Sequence, residues 1–239
     1  MRRGGVLILG AGGHGKVVAD ILLCQGVPVL GFLDDDPMLE GHARLGLPIV
    51  GRIDAYPCYE PSGLVLGIGD TAQRQRIVWS CGATAQPLWR NAIHPRATVA
   101  ASARLGRGVT ISAAAVVNPD AVLGDHAIVN TGATVDHDCV VAAYGHIAPG
   151  AHLAGGVRIG EGALVGIGAN ICPNCSIGDW AVVGAGATVV RDIPAGVTAV
   201  GVPARYTLEA PRQAPPLSRV RERGRGCGPR RFTTGFDVV

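Results

Sequence analysis

A hydrophobic repeat of six residues runs through the middle of this 239-residue chain. From Val99 to Val189 an aliphatic residue stands at every sixth position, sixteen times without a failure. A small or slim residue precedes most of these by two positions, and only Val109 and Val157 are larger. A period of six fits neither a 3.6-residue helix nor a simple alternating strand, but it suits short strands joined by tight turns. We predict a parallel β-helix of triangular section in which three hexapeptides form one coil and the aliphatic residues fill the interior.

The first ninety residues follow a different pattern, that of a small Rossmann-like α/β domain with a parallel sheet. The apolar run Val6–Leu9 leads into a glycine-rich loop at 10–15, and an apolar helical stretch follows from Lys16 to about Gln25. The other predicted elements are strands at 28–33 and 64–68 and a helix at 71–80. A glycine loop before a helix lets backbone N–H groups approach phosphate, so this half is predicted to hold a nucleotide. Ninety residues are about half of a dinucleotide-binding domain, which favours a nucleotide other than NAD.

The charge of the chain is unevenly distributed. The net charge is +3, yet residues 211–239 carry seven Arg against two acidic residues, which leaves 14 basic and 16 acidic residues before them. Together with the two patterns above, this predicts three parts: a nucleotide-binding Rossmann-like domain at 1–90, a β-helix at 91–206 and a disordered Arg/Gly/Pro-rich tail at 207–239. The sequence contains neither an uninterrupted run of eighteen apolar residues nor a signal peptide, so we expect a cytoplasmic protein without a membrane or nucleic-acid partner.

Several motifs taken together resemble one bacterial family. They are Gly10-Ala-Gly-Gly-His14-Gly15-Lys16, Phe32-Leu-Asp34-Asp35, the hexapeptide run, Asn130-Thr-Gly-Ala-Thr-Val-Asp-His137-Asp138-Cys and Gly201-Val-Pro203-Ala. From about residue 5 to 206 the chain resembles the sialic-acid O-acetyltransferases and nucleotide-4-amino-sugar N-acetyltransferases of the NeuD/PglD type. The resemblance implies a left-handed β-helix, a homotrimer, and acetyl-CoA held as cosubstrate in the groove between neighbouring subunits.

The same resemblance implies roles for particular residues. His137 matches the catalytic base, and Asp138 stands where the family often has a Glu that supports this base. The residues that match acetyl-CoA contacts are His146, Ile167, Gly184 and Ala185. The residues that match contacts to the nucleotide-linked amino sugar are Gly12, Gly13, His14, Asp34, Asp35, Gly69 and Asn130. No metal ion is expected.

The chemistry of acetyl transfer agrees with a histidine base. An imidazole accepts a proton at neutral pH, and a carboxylate from Asp136 or Asp138 beside it fixes its tautomer and stabilises the imidazolium. In the predicted coil, residues 18 apart lie above one another, so Gly155-Gly156 lies over His137-Asp138. We expect this opening to admit the reacting groups.

Three other interpretations remain open at this point. One base serves an amine or a hydroxyl acceptor, so O-acetylation of a sialic acid or another sugar is an alternative to N-acetylation of a 4-amino sugar. A zinc enzyme of the carbonic-anhydrase type and a non-catalytic nucleotide-binding scaffold are further alternatives. The sequence does not identify the nucleotide or the sugar.

Overall fold

The computed structural model describes residues 4–206, which form an α/β half followed by a β-helix. Within these residues the α/β half consists of β1 (Val6–Leu9), α1 (Gly13–Cys24), β2 (Val29–Leu33), β3 (Ala43–Arg44), β4 (Leu47–Gly51), β5 (Gly63–Leu66) and α2 (Thr71–Cys81). Its connections include short 3-10 helices at Pro37–Leu39, Ile53–Tyr59 and Ala83–Leu88. The predicted tail at 207–239 lies outside the described residues.

The strands of the α/β half form one sheet in the order β3-β4-β2-β1-β5. All neighbours are parallel except β3 and β4, which are antiparallel. Every residue of β1 and β5 is buried, as the apolar sequences of these strands require. The glycine loop then brings the backbone very close to α1, because a Cβ on Gly15 would lie only 2.2 Å from the carbonyl oxygen of Gly10. Only glycine fits this approach.

The β-helix is built from short strands that recur every six residues from 92 to 189, and two further strands follow at wider spacings. They are β6 (Ala92–Ile93), β7 (Thr98–Val99), β8 (Arg104–Leu105), β9 (Thr110–Ile111), β10 (Val116–Val117), β11 (Val122–Leu123), β12 (Ile128–Val129), β13 (Thr134–Val135), β14 (Val140–Val141), β15 (His146–Ile147), β16 (His152–Leu153), β17 (Arg158–Ile159), β18 (Leu164–Val165), β19 (Asn170–Ile171), β20 (Ser176–Ile177), β21 (Val182–Val183), β22 (Thr188–Val189), β23 (Thr198–Val200) and β24 (Arg205–Tyr206). From β6 to β22 every third strand joins the same sheet, and β23 and β24 extend the third sheet. The orders are β22-β19-β16-β13-β10-β7, β20-β17-β14-β11-β8 and β24-β23-β21-β18-β15-β12-β9-β6.

Strands that neighbour each other in these sheets are 18 residues apart, as in the parallel pair of Val117 and Val135. The predicted aliphatic positions from 111 to 189 are buried in one continuous core, together with the small residues that precede them. The predicted architecture, a parallel α/β half followed by a left-handed β-helix of hexapeptide repeats, is confirmed. The coil begins one hexapeptide before Val99, because β6 pairs with β9.

The corners of the coil share one backbone feature. At every sixth position from 108 to 186 the residue has a positive φ, in the left-handed region. Seven of these fourteen residues are glycine, and the other seven are Ala114, Asp120, His126, Asp138, Tyr144, Asn174 and Trp180. Left-handed backbone is disfavoured for residues with a Cβ, although Asn, Asp and His tolerate it better than most. The turn therefore recurs with the period of the repeat whether or not glycine occupies it.

Three ladders of corner residues run along the β-helix, each with members 18 residues apart. The His137 corner contains Pro119, His137, Gly155 and Pro173; the Tyr144 corner contains His126, Tyr144, Gly162 and Trp180; the Ile167 corner contains Thr131, Pro149, Ile167 and Ala185. Backbone hydrogen bonds connect the successive turns of a corner. For example, the N–H of Gly156, the residue after Gly155, donates to the His137 carbonyl at 2.9 Å.

The Tyr144 corner is the one that packs against the α/β half. The His126 ring stacks on the Tyr144 ring with centroids 5.4 Å apart, and the Trp89 ring meets His126 edge-on at 4.9 Å. Tyr144 also belongs to the apolar core formed by residues of the α/β half. Across the same seam, Gln75 of α2 donates a hydrogen bond to the Glu161 carboxylate at 2.8 Å.

The first helix begins earlier than predicted, and the helices of the described residues can be compared with the length of a membrane span. Helix α1 begins at Gly13, three residues earlier than predicted, because the glycine-rich loop itself turns into the helix. Among residues 4–206, the helices are all too short or too polar to cross a bilayer.

Candidate active site

A cavity of about 250 Å³ opens where the glycine loop meets the carboxyl ends of β1 and β5. Its lining residues are Gly10, Gly12, Gly13, His14, Asp34, Gly67, Ile68, Gly69, Asp70 and Gln73. Both α-helices begin at this cavity, α1 at Gly13 and α2 at Thr71. Among residues 4–206, no side chain caps the start of α1, which leaves its first N–H groups available to a ligand. Free N–H groups and the positive end of a helix form a binding site for phosphate.

The two predicted acidic contacts in the α/β half face different surroundings. One carboxylate oxygen of Asp34 accepts a hydrogen bond from the Ala11 N–H at 2.7 Å, and the other accepts one from the Asp36 N–H at 2.9 Å. Asp34 thereby fixes the glycine loop at the edge of the cavity. Asp35 accepts a hydrogen bond from the Ile53 N–H at 3.1 Å, has Arg52 at 3.6 Å, and lines a smaller neighbouring cavity of about 50 Å³.

His146 contacts the predicted sugar-side residues. Its Nδ1 lies 3.1 Å from the Gly69 carbonyl and its Nε2 lies 3.2 Å from the amide nitrogen of Asn130. The carbonyl needs a donor and the amide N–H needs an acceptor, so the ring is neutral with its proton on Nδ1. The His14 ring lies 6.4 Å away, centroid to centroid. His14, Gly69, Asn130 and His146 therefore meet at the seam between the two halves.

Arg74 joins this cluster and was not singled out from the sequence. Its side chain is only 1% exposed, and its guanidinium donates to the carbonyls of Gly69 at 2.6 Å and Tyr144 at 2.5 Å. Burial lowers the pKa of Arg74 to about 10. Burial, with the charge of Arg74 as a smaller cause, also lowers the pKa of His14 to about 4 and that of His146 to about 3. Both histidines are neutral at pH 7.

His137 has the opposite environment. Its side chain is 62% exposed, and its Nδ1 lies 2.8 Å from a carboxylate oxygen of Asp138. The shorter side chain of Asp therefore reaches the ring directly. The hydrogen bond to Asp138 and, after it, the charge of Asp136 raise the pKa of His137. Within residues 4–206 its Nε2 has no hydrogen-bond partner, which leaves that nitrogen free to accept a proton from a substrate.

The coil above His137 offers no side chains, as the 18-residue stacking predicts. A Cβ on Gly155 would lie 2.6 Å from Cε1 and 2.7 Å from Nε2 of His137. The imidazole itself therefore lies over Gly155, in the space that the missing side chain leaves. Glycine at 155 makes room for the imidazole of His137.

The remaining predicted cosubstrate contacts lie near the Ile167 corner. Ile167 is 62% exposed, and Ala185 is exposed one coil above it. Gly184 lies beneath the side chain of Val200, whose Cγ1 would be 2.7 Å from a Cβ at 184. His146 has its polar contacts with Gly69 and Asn130, and Asn130 directly precedes Thr131 of the Ile167 corner.

Within residues 4–206, His137 is not among the residues that line the cavity. The cavity lies in the α/β half, which packs on the Tyr144 corner, whereas His137 occupies a different corner of the coil. A chain by itself therefore holds the two predicted parts of the site at separate places.

Two groups of residues bear on other kinds of chemistry. Cys139 directly follows the pair of His137 and Asp138 in the sequence, and its thiol donates a hydrogen bond to the Ala154 carbonyl at 3.1 Å. Burial raises the pKa of this thiol, so Cys139 is a packed thiol. Asp20, Cys24 and His94 form a group within 4.8 Å among the described residues. The Nδ1 of His94 accepts the Arg96 N–H at 2.9 Å, which leaves the proton on Nε2. This group contains one imidazole, whereas the zinc-enzyme interpretation requires three.

Comparisons with known proteins agree with both halves. Residues 5–80 match the PglD N-terminal domain, and residues 156–191 match the bacterial transferase hexapeptide (six repeats) family. An uncharacterised protein of Acanthamoeba polyphaga mimivirus is 32% identical over 103 residues, which is 43% of this chain and only 20% of that protein's length.

Two solved structures resemble nearly the whole described chain. One is a mutant of GDP-perosamine N-acetyl transferase from Caulobacter crescentus in complex with CoA and GDP-perosamine; it is 44% identical with a TM-score of 0.81, covering 86% of this chain and 98% of that one. The other is the acetyltransferase domain of PglB from Neisseria gonorrhoeae in complex with acetyl coenzyme A; it is 39% identical with a TM-score of 0.79, covering 87% and 100% of the two chains. The chain therefore belongs to the hexapeptide-repeat sugar acetyltransferases of the NeuD/PglD type.

Proposed function

We propose that this protein transfers the acetyl group of acetyl-CoA to the amino group of a nucleotide-linked 4-amino sugar, with His137 as general base. The observation that carries the proposal is the pair of His137 and Asp138, whose 2.8 Å contact leaves an exposed, unpaired Nε2. The similarity to an N-acetyltransferase solved with CoA and GDP-perosamine supports an amine as acceptor and makes GDP-linked amino sugars the first to test.

The proposed reaction is a direct transfer in which one C–N bond forms and one C–S bond breaks. The sugar amine attacks the thioester carbonyl, its proton passes to Nε2 of His137, and the proton then neutralises the departing CoA thiolate. Asp138 holds the Nδ1 proton and stabilises the imidazolium as it forms. General-base assistance of this kind contributes about 10²- to 10⁴-fold. Cys139 is buried and its thiol is hydrogen-bonded to the Ala154 carbonyl, so we propose that the acetyl group passes directly to the amine without an acetyl-cysteine intermediate.

The cavity of the α/β half is the proposed site of the nucleotide. The uncapped start of α1 and the glycine loop, with Gly12, Gly13 and His14, suit the two phosphates of a nucleoside diphosphate. Gly69 lines the same cavity, and Asp34 maintains the loop that forms it. Asp35 is proposed to contact the nucleoside from the smaller cavity beside it.

We infer that the working unit is a homotrimer in which His137 of one copy meets the cavity of another. The separation of the two parts within one chain supports this arrangement, since a shared site brings them together without any change of fold. Ile167, Gly184 and Ala185, with His146 from the seam, are the proposed contacts of acetyl-CoA in the groove between copies. Because acetyl-CoA is a cytoplasmic metabolite, we propose that the reaction takes place in the cytoplasm.

The first test is thiol release from acetyl-CoA with GDP-, UDP- and dTDP-linked 4-amino sugars and with free sialic acid. We expect turnover of one nucleotide amino sugar, and a loss of at least about 10²-fold in His137→Ala. His152→Ala is the matched control, because His152 is also exposed on the coil and its ring forms a hydrogen bond with the Thr134 hydroxyl at 2.9 Å. Turnover of sialic acid alone would assign O-acetylation instead, and no turnover with any acceptor would favour the scaffold interpretation.

A second test addresses the shared site. His137→Ala and His14→Ala subunits, each inactive or weak alone, are co-expressed with different affinity tags, and the mixed oligomers are purified. If the site combines His137 of one copy with His14 of another, mixed oligomers contain some sites with both histidines and recover part of the activity. Mixed oligomers no more active than the parents would place the whole site within one chain.

A further inference from the structure

A second carboxylate borders His137 without touching its ring. One oxygen of Asp136, Oδ1, accepts a hydrogen bond from the backbone N–H of His137 at 2.8 Å. The same oxygen accepts a hydrogen bond from the side-chain amide of Asn118 at 2.8 Å. Asn118 lies one coil below, 18 residues earlier, so two neighbouring coils hold this carboxylate in place.

Two donors on one oxygen favour the ionised form of a carboxyl group. The backbone bond from His137 and, after it, the amide of Asn118 hold the pKa of Asp136 below its ordinary value. Asp136 therefore carries its negative charge at any pH at which the imidazole of His137 titrates. This differs from Asp138, which acts on the ring through a direct hydrogen bond.

Among residues 4–206, few charged groups besides Asp136 lie near the His137 ring. The coil above presents Gly155 and Gly156, which carry no charge. The coil below presents Pro119 and the exposed Asp120, which stacks beneath Asp138. Among residues 4–206, the charged groups that act on the His137 ring are thus Asp136 and Asp138 on its own coil, whereas Asp120 lies beneath Asp138 without a contact to the ring.

We propose that Asp136, fixed by Asn118, is a positioning residue that strengthens His137 as a base and sets the backbone turn from which its ring projects. The inference rests on the proposed function, because a stronger base matters only if His137 accepts a proton. In that step the amine proton moves to Nε2, and the resulting imidazolium lies between two carboxylates of its own coil. Asn118 contributes by keeping one of them in place.

The decisive variant is Asp136→Asn, which keeps an oxygen that accepts the two hydrogen bonds but removes the charge. We expect NMR titration of the His137 ring to give a lower pKa than in the wild-type protein. The acid limb of the pH profile of kcat/KM is expected to move to lower pH by the same amount, and the plateau of kcat to fall about threefold, as a weaker base requires. KM is expected to remain unchanged.

Asn118→Ala separates positioning from charge. This variant leaves the Asp136 carboxylate ionised but removes the donor from the coil below. We expect kcat to fall several-fold, on the order of threefold to tenfold, while the titration of His137 stays close to that of the wild type. Asn118→Gln, whose longer amide still reaches the carboxylate, is expected to restore part of the rate.

Asp120→Asn is the control, since it removes a charge from the same corner without a contact to Asp136 or the His137 ring. Its expected result is an unchanged titration. The proposal is overturned if Asp136→Asn leaves the His137 titration where it was, or if Asp120→Asn moves it equally. If Asp136→Asn lowers the pKa while the wild-type protein acetylates no acceptor in the panel, the effect of Asp136 stands and the proposed transfer fails.

Discussion

The imidazole of His137 is paired with a residue, Asp138, that has an unusual backbone conformation. Its partner Asp138 has a φ of 60°, and this left-handed turn brings the carboxylate back to the ring of the preceding residue. The ring itself lies over Gly155 of the next coil. The ring is therefore exposed yet has a neighbour on two sides, the Asp138 carboxylate and Gly155.

Replacing the carboxylate of Asp138 tests whether Asp138 supports His137 in the proposed transfer. Asp138→Asn removes the charge that stabilises the imidazolium, so we expect kcat to fall on the order of 10²-fold in the thiol-release assay. Asp138→Glu keeps the charge, and we expect it to retain activity within about tenfold of the wild type. An Asn variant as active as the wild type would show that Asp138 has no part in the transfer.

Gly155 provides a second test at the same scale. A methyl group at 155 would lie within 2.6 Å of the His137 ring, so we expect Gly155→Ala to displace the base and to reduce kcat at least about tenfold. The three atoms nearest to such a methyl group all belong to the His137 ring, so a double-mutant cycle tests the clash. Gly155→Ala is expected to lower the thermal midpoint in the wild-type background and to have a much smaller effect in His137→Ala. Equal effects in both backgrounds would mean that the methyl group collides with something else.

At the scale of the structural element, the coil is the part that the sequence predicts best. The period of six specifies strand, corner and interior without reference to the rest of the fold, so the positions from Val99 to Val189 could be assigned directly. The left-handed corners were less visible, because Tyr144 and Trp180 have no local preference for that conformation. The period imposes the turn there, and neighbouring coils stabilise it.

Strain at such a corner is measurable. Ala114 is exposed and has a φ of 58°, a conformation that glycine adopts more readily. We expect Ala114→Gly to raise the free energy of unfolding by about 0.5–1 kcal/mol, measured by denaturant titration. Ala113→Gly, at the neighbouring position with ordinary φ, is expected to be neutral or destabilising. A destabilised Ala114→Gly variant would mean that the corner stores no strain at this residue.

At the scale of the whole molecule, the seam between the halves was the least predictable feature. Helix α2 is polar, and Arg74 lies in the sequence Gln-Arg-Gln-Arg. Nothing in this local sequence indicates that the Arg74 side chain is only 1% exposed. Its burial arises from the docking of the α/β half onto the Tyr144 corner, about seventy residues further along the chain. For the same reason the sequence indicated that His146 and Gly69 belong to the site but not that they touch.

The seam makes stability depend on pH. Burial lowers the pKa of His14 and His126 to about 4 and that of His146 to about 3, against 6.5 in an unfolded chain. The unfolded chain therefore binds more protons below about pH 6.5, so this part of the stability is complete above that pH and is lost as the pH falls toward 4. We expect the free energy of unfolding to decrease from pH 7.5 to pH 5, measured by denaturant titration.

His126→Phe isolates one of these groups. Phe preserves a ring between Trp89 and Tyr144, and it loses little because the His126 Nδ1 is buried without a partner among the described residues. We expect a weaker dependence of stability on pH in this variant. His152→Gln, which changes an exposed histidine, is expected to leave the dependence unchanged. A slope unaltered by His126→Phe would exclude this histidine as a source of the pH effect.

The 18-residue spacing of stacked corners also limits how such a chain can change in length. Deleting or duplicating 18 residues above the His137 corner removes or adds one complete coil, and every later side chain keeps its face. A change of six residues preserves the repeat but shifts all later residues to the next side of the triangle, which would move Ile167 and Ala185 away from their own ladder. Insertions and deletions that preserve the site in homologues of different length should therefore come in multiples of eighteen within the coil, and other lengths should occur in its corner loops.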